Sequence, residues 1–288
     1  MGAGDHWLVV PVFGQGGDGF CSIGAVLALK KAGYGVVLVD NNPSPGSVRA
    51  GGCLLVYNGN LGGIAGGFNR GVAAAMAAGA RAITLLDQDS RITPGALQML
   101  RELLESHSGQ PLLVGPRIWD TRRQQWHQPA QQRWHGYPRT RLLISSGTTF
   151  VAENWTLLGP FDEDLFIDFV DHAWCFRAQA AGFVLLQHPH AQLEQQFGQA
   201  HPHWLCRLLG MELYSPQRHY HSLRNLRWLL RQSWVPLDLR VKELIKMLVK
   251  PALWLLFEAQ RRANVQAILG ALVAPLPRAG GAAVEPPR

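Results

Sequence analysis

Two aspartates one residue apart, Asp87 and Asp89, close the apolar run Ala82-Ile83-Thr84-Leu85-Leu86. Such a run reads as a short buried strand, and the strand ends of an open α/β sheet are where ligands are held. Two carboxylates there repel each other unless a cation or a sugar hydroxyl lies between them. A hard divalent ion shared by carboxylates and substrate phosphates relieves that repulsion. Leu86-Asp87-Gln88-Asp89-Ser90 is thus a candidate site for a metal-bound diphosphate. The same residues also suit an Asx turn, with Asp89 or Ser90 capping a helix that Thr93-Pro94 would start.

Further along, Gly159-Pro160-Phe161-Asp162-Glu163 leads through Phe166-Ile167-Asp168 to Asp171 and Trp174. This sets carboxylates around an aromatic and aliphatic cluster, just before a helix. An acid at a helix start is stabilised by the dipole, and beside a substrate hydroxyl it can act as general base. The alternative for Asp168 and Asp171 is N-terminal capping. Upstream, Ile144-Ser145-Ser146-Gly147-Thr148 reads as a strand entering a turn of small residues, suited to lie beneath a sugar.

Two glycine-rich stretches complete the candidates. Gly14-Gln15-Gly16-Gly17-Asp18-Gly19 follows a strand and precedes a helix, with Asp40 at the next strand end. This is the dinucleotide fingerprint in its usual context, although Asp18 would set a negative charge where a pyrophosphate should sit. The stretch Asn58 to Gly71 allows close backbone approach to a ligand, with donors on Asn69 and Arg70. Tight helix packing through small residues is the other reading.

The elements positioning these residues alternate. Strands are expected at Trp7–Phe13, Val36–Val39, Leu54–Tyr57 and 82–86, and helices at Phe20–Ala32, Gly66–Ala78 and Thr93–Glu105. That order predicts a mostly parallel sheet with right-handed crossovers. Trp119 to Arg139, rich in Gln, Arg and Trp, reads as a long loop. After Pro216 the chain turns helical and basic, and its last dozen residues read as a disordered tail.

With 288 residues, 47% of them hydrophobic, the chain can build one large or two small units. Cys21, Cys53, Cys175 and Cys206 are scattered without zinc-ligand spacing, which fits a reducing compartment. No signal peptide is read, and no apolar run is long enough to span a membrane. Net charge is +7, yet from His201 onward 13 Lys or Arg stand against five acids. The excess therefore lies in the C-terminal part, a surface for an anionic partner; nothing points to nucleic acid.

Five blocks in order resemble the family 2 glycosyltransferases of the GT-A fold, in their rhamnosyltransferase-like branch, which builds bacterial surface polysaccharides such as lipopolysaccharide. They are Val39-Asp40-Asn41-Asn42; Asn60-Leu61-Gly62 with Asn69-Arg70-Gly71; Leu86 to Ser90; Ser145-Ser146-Gly147; and Phe161 to Arg177. The likeness runs over about residues 8–230 and takes in Arg218-His219-Tyr220 and Arg224-Asn225. It implies an inverting, metal-dependent transfer of a sugar from a dTDP- or UDP-linked donor, dTDP-rhamnose first, to a glycan or lipid-linked acceptor.

On this resemblance Asp171 is the catalytic base. Asp40, Asn69, Asp87, Ser146 and Gly147 bind the donor, Asp40 at the base. Asp89, Asp87 and Gln195 hold Mg²⁺ or Mn²⁺, Gln195 standing where the family has a His, while Asp168 and Trp174 face the acceptor. Arg177 is expected to fix local structure through nearby acids. The expected organisation is a GT-A catalytic domain over 1–215, a basic amphipathic helical region over 216–275 and a tail over 276–288.

Arg240 to Ala271 reads as two amphipathic segments divided at Pro251, apolar with flanking Lys and Arg. That suits an in-plane helix at an anionic membrane or a face packed on the domain or on a second copy. A cytoplasmic protein, peripheral on the inner face of the cytoplasmic membrane, is the expected localisation. Two other classes stay open: a non-catalytic sugar-nucleotide or glycan-binding protein, and an NAD(P)-dependent oxidoreductase.

Overall fold

The computed structural model describes residues 1–14, 23–127 and 132–278. The apolar runs of the first third form β1 (His6–Val12), β2 (Gly35–Asp40), β3 (Leu54–Tyr57) and β4 (Ala82–Leu85). β1, β2 and β4 are almost wholly buried, as continuous Val/Ile/Leu strands covered on both faces should be. They pair in parallel in the order β3-β2-β1-β4. The crossovers carry α1 (Ile23–Lys31) and α2 (Gly63–Ala77).

Beyond β4 come β5 (Arg91–Ile92), α3 (Pro94–Ser106), β6 (Leu112–Asp120), β7 (Gln125–His127), β8 (Gln132–Trp134), β9 (Tyr137–Arg139) and β10 (Thr149–Val151). β10 enters antiparallel between β4 and β6. After α4 (Ala152–Leu158) and α5 (Val170–Ala180), β11 (Val184–Gln195) pairs in parallel with β6. The α/β class with a mostly parallel central sheet and flanking helices is therefore the one observed, with β10 as the antiparallel insertion. The chain ends in α6 (Trp204–Leu208), α7 (Pro216–Leu229), α8 (Leu237–Phe257) and α9 (Arg261–Val273).

Local signals set the helix starts. Thr93 caps α3 by accepting the Ala96 N–H at 3.1 Å, with Pro94 in the first helical position. Ser215 does the same for α7, ahead of Pro216. One apolar cluster packs α2, α4, α5 and the end of α7 on one face of the sheet; a second packs α1 and α3 on the other. A smaller group, Cys206, Met211, Leu253 and Trp254, joins α6 to α8.

Three sequence expectations need correction. The segment Trp119–Arg139 is not one loop: its start completes β6, and β7, β8 and β9 pair within it. The strand expected at Ile144–Thr148 begins only at Thr149, because Ser145 to Thr148 form a turn closed by Thr148 N–H on the Ser145 carbonyl. Pro251 does not divide the C-terminal helices; α8 runs through it, which removes a single intrahelical donor. The expected fingerprint at Gly14–Gly19 lies, past Gly14, outside the described residues, as does Arg278's C-terminal neighbourhood. Among the described residues no helix is long and apolar enough to cross a membrane.

The approach of α2 to the sheet rests on Gly71, where a Cβ would stand 2.2 Å from Val9 Cγ1 and 2.8 Å from Val39 Cγ2. Both neighbours are β-branched and stiff at χ1. Gly71→Ala, which ordinarily favours a helix, is expected here to destabilise by about 1–3 kcal/mol through overpacking. Urea unfolding checks the sign, and a gain in stability would contradict this packing.

Candidate active site

The carboxylate loop is cinched from several sides. Leu85 ends β4, and the chain turns at Asp87 to Ser90, whose N–H returns to the Asp87 carbonyl at 3.1 Å. Ser146 Oγ accepts the Asp87 N–H at 3.1 Å and donates to Ser90 Oγ at 2.7 Å. Gln88 clasps the end of β1, taking the Phe13 N–H at 2.7 Å and donating to the Phe13 carbonyl at 3.1 Å. From the end of β11, Gln195 Nε2 donates to Asp87 Oδ2 at 2.9 Å.

These contacts hold like charges together. Burial pushes the Asp87 carboxyl up, and the charges of Asp89 and Asp171 add to that against the Gln195 hydrogen bond, so that it titrates at about 7. Burial also raises Asp89. Asp87, Asp89 and Asp171 thus share one field at the C-terminal edge of the sheet, where open α/β folds bind ligands.

Asp171 lies in the first turn of α5. Its Oδ1 accepts the His172 N–H at 2.8 Å and lies 2.9 Å from His172 Nδ1. Burial works to raise this carboxyl, but the His172 ring and these bonds outweigh it and hold Asp171 below the ordinary range. Asp171 in turn lifts the His172 imidazole against the effect of burial. Both contacts address Oδ1.

The loop before α5 is strained: Phe166, Asp168 and Phe169 all have φ near +60°, a region disfavoured for bulky residues. α7 holds it there. Asn225 Nδ2 donates to the carbonyls of Leu165, Ile167 and Asp168 at 2.7, 2.8 and 3.1 Å. Arg218 Nη2 reaches Asp168 Oδ1 at 2.8 Å, and Arg224 bonds the Asp164 carbonyl.

Several expected ligand contacts turn out to be internal. Asn69 bridges α2 to the acidic segment, with Nδ2 on the Phe161 carbonyl and on Glu163 Oε1 and with Oδ1 taking the Phe161 N–H; its polar atoms are spent there instead of on a donor. Asp40 is 2% exposed, and its carboxylate accepts from both nitrogens of Asn42 and from the Gly46 N–H. It shapes the turn after β2 instead of facing a base. Ser146, 1% exposed, acts on the Asp87 loop from behind. Gly147, at φ +84°, lies against Pro116 and Leu193, where a Cβ would clash at 2.6 Å.

Trp174 is 2% exposed, packs edge-on or tilted among Phe150, Trp155 and Phe161, and donates Nε1–H to the Gly159 carbonyl at 3.0 Å. It belongs to the core, not to an acceptor face. Asp168 is engaged by Arg218, so its first role is to secure the loop. Arg177 pairs with Asp162 at 3.3 Å and bonds the Pro160 carbonyl. Gln88 and His172 were not legible as site residues, because one signals only as a spacer and the other only as the neighbour of Asp171.

Among the described residues, no three His, Cys, Asp or Glu side chains are grouped to hold a metal. The donor set instead comprises Asp87, Asp89 and Gln195, whose Oε1 is buried without a hydrogen-bond partner. A buried orphan oxygen beside a carboxylate that burial, and then its neighbours' charges, push to about 7 suits a hard divalent cation. The residues present fit one.

No family model matches the chain. It is 28% identical over 211 residues, 69% of its own length and 70% of the relative's, to the dTDP-rhamnosyl transferase RfbF of Shigella flexneri. In structure it is similar to residues 1–349 of S. aureus TarS in complex with UDP-GlcNAc, with TM-score 0.56 and 13% identity over 92% of this chain and 81% of that one. It is also similar to GalNAc-T7 with UDP, GalNAc and Mn²⁺, with TM-score 0.55 and 12% identity over 88% of this chain, and it spans 58% of that protein. The expected resemblance, in sequence and in GT-A fold, is borne out.

The raised Asp87 carboxyl yields a signed prediction. Folded, it keeps its proton up to about pH 7; unfolded, it loses it near the ordinary carboxyl value, so stability falls as pH rises between the two. Without divalent ions, Asp87→Asn is expected to exceed the wild type by on the order of 2 kcal/mol at about pH 8. The gain should shrink as pH falls toward about 4. Urea titrations across that range measure it; a gain independent of pH would mean the carboxylate is not strained.

Proposed function

We propose that this chain is a glycosyltransferase that transfers a deoxysugar, rhamnose first, from a dTDP- or UDP-linked donor to a hydroxyl of a glycan or lipid-linked acceptor, with inversion. The observation that carries this reading is the meeting of Asp87, Asp89, Asp171 and the free Gln195 oxygen at one sheet edge. That arrangement suits a substrate that brings both a diphosphate and a nucleophilic hydroxyl.

Asp87, Asp89 and Gln195 Oε1 would hold Mg²⁺ or Mn²⁺, which supplies charge neutralisation for the departing nucleoside diphosphate. Asp171 Oδ2 takes the proton of the acceptor hydroxyl as that oxygen bonds to the anomeric carbon. The bond from that carbon to the diphosphate breaks on the opposite face, and the pair of electrons leaves with the phosphate. His172 keeps Asp171 ionised and oriented, so the base is ready at neutral pH. The strained loop leads into the first turn of α5, which carries Asp171, and Gln88 and Ser146 fix the turn that carries Asp87 and Asp89.

A second reading has its own support: the Gln195 amide nitrogen, a donor, faces Asp87, which would suit a protein that binds a sugar nucleotide without turning it over. One experiment separates the two. Thermal shifts with dTDP, UDP, GDP and NAD are measured with and without Mn²⁺ or Mg²⁺. The expected outcome is metal-dependent stabilisation by dTDP or UDP, about 2.7 kcal/mol at a hundredfold excess over Kd, lost in Asp89→Ala. Asp171→Asn should keep that response while sugar transfer falls about 10²–10⁴-fold. Metal-independent stabilisation by NAD would overturn the proposal, and donor binding with no transfer by the wild type would favour the binding protein.

A further inference from the structure

The strand ends beside the carboxylates have a second face. β5, β11, β6 and β7 lie side by side there, and Arg91, Glu194, Trp119 and Trp126 stand directly opposite one another in the successive strand pairs. Residues paired in this way project to one side of the sheet. The four therefore form a single row, about 14 Å long at the usual strand spacing. Their chain neighbours point the other way: Ile92, Leu193 and Ile118 are buried, and Gln195 reaches Asp87. The row thus lies on the back of the strand end that serves the candidate active site. Arg91, Glu194 and Trp126 are exposed, and Trp119 is half-buried. Between the row and the first turns of α3 lies a cavity of about 400 Å³, lined by Arg91, Gln192 and Glu194 from the sheet and by Gly95 and Met99 from the helix.

The two halves of the row ask for different things of a ligand. At one end Trp119 and Trp126 meet edge to face, with ring centroids 5.0 Å apart. The Arg117 guanidinium lies over Trp126 at 4.0 Å, which fixes an indole that is still 39% exposed. At the other end Glu194 can only accept hydrogen bonds, Arg91 can only donate them, and Gln192 can do both. Among the described residues none of these three side chains is hydrogen-bonded to a neighbour. A ligand that answers both ends carries an apolar C–H face together with groups that donate and accept, which is the chemistry of linked sugar rings. An acyl chain would leave Arg91 and Glu194 desolvated and unmatched, a polyanion would meet the Glu194 carboxylate, and charges of this kind are depleted at the centre of protein interfaces. We propose that this row and its cavity bind a glycan chain of two or more neutral sugars, with one ring on Trp126 and the hydroxyls of the next on Glu194, Gln192 and Arg91. The site holds the chain and not the reacting hydroxyl, because Glu194 and Gln195 project to opposite faces. Binding here needs neither nucleotide nor metal, so it stands or fails separately from the transferase reading.

Calorimetric titration of the full chain, in EDTA and without nucleotide, tests it with hexasaccharides of rhamnose, of glucose and of N-acetylglucosamine and with the three free sugars. At least one hexasaccharide is expected to bind, and its monosaccharide to bind about tenfold or more weakly, because one ring cannot reach both Trp126 and the polar end. Trp126→Ala should weaken the hexasaccharide by about tenfold or more, with Trp126→Phe recovering part of the loss. Glu194→Gln, at an exposed position, should weaken it by about threefold to tenfold and gives a second variant that leaves the β6–β7 pair untouched. Unchanged urea midpoints would verify the fold of each. Asp171→Asn, on the other face, should bind the hexasaccharide as the wild type does. Failure of all three hexasaccharides to bind overturns the proposal, as does binding that Asp171→Asn loses while Trp126→Ala and Glu194→Gln keep it. So does a chain that binds no glycan but sediments as a dimer which Trp126→Ala dissociates, for then the face belongs to a second copy.

Discussion

Negative charge gathered at one edge of the sheet is the constraint that the surrounding structure answers. Burial, and then the charges of Asp89 and Asp171, raise the cost of ionising Asp87, while burial raises that of Asp89. Left to themselves, such side chains would turn to solvent. Neighbours of fixed position hold the site instead: Gln195 the Asp87 carboxylate, Ser146 the Asp87 backbone N–H, Gln88 the turn between Asp87 and Asp89, and His172 the Asp171 carboxylate. The hydrogen bonds set the geometry in which these carboxylates are held.

Asp171 follows a second constrained segment, from Phe166 to Phe169, three of whose residues occupy left-handed backbone conformations. The conformation costs energy, of order 1–3 kcal/mol for each such residue, and α7 offsets it from outside. Asn225 spans three carbonyls with one amide nitrogen, and Arg218 anchors Asp168. The C-terminal helices are thus joined to the chemistry, since Trp228 and Leu229 at the end of α7 also pack in the same apolar cluster as α2, α4 and α5. The helix that secures the loop is followed at once by α8, whose outer face carries the exposed leucines.

Much of the architecture was legible because its causes are local. Continuous Val/Ile/Leu runs marked β1, β2 and β4, Thr93-Pro94 and Pro216 marked two helix starts, and two acids after an apolar strand marked the candidate site. Each depends on residues within a turn or a strand of one another. The pairing of β7 to β9 within Trp119–Arg139 was not legible, because a short polar strand owes its existence to a partner and not to its own composition.

Side-chain roles divide along the same line. The sequence determined which residue types could serve a donor, a metal and an acceptor, and roughly where each would stand along the sheet. Only the tertiary structure decided that Asn69, Asp40, Ser146 and Trp174 spend their polar atoms inside the protein, and that Gln195, 108 residues from Asp87, reaches it with a hydrogen bond. The physical reason is that a polar group's partner is chosen by whatever the fold brings within about 3 Å. A linear pattern lists which groups can donate or accept, but the packing of distant elements determines which of them are already satisfied.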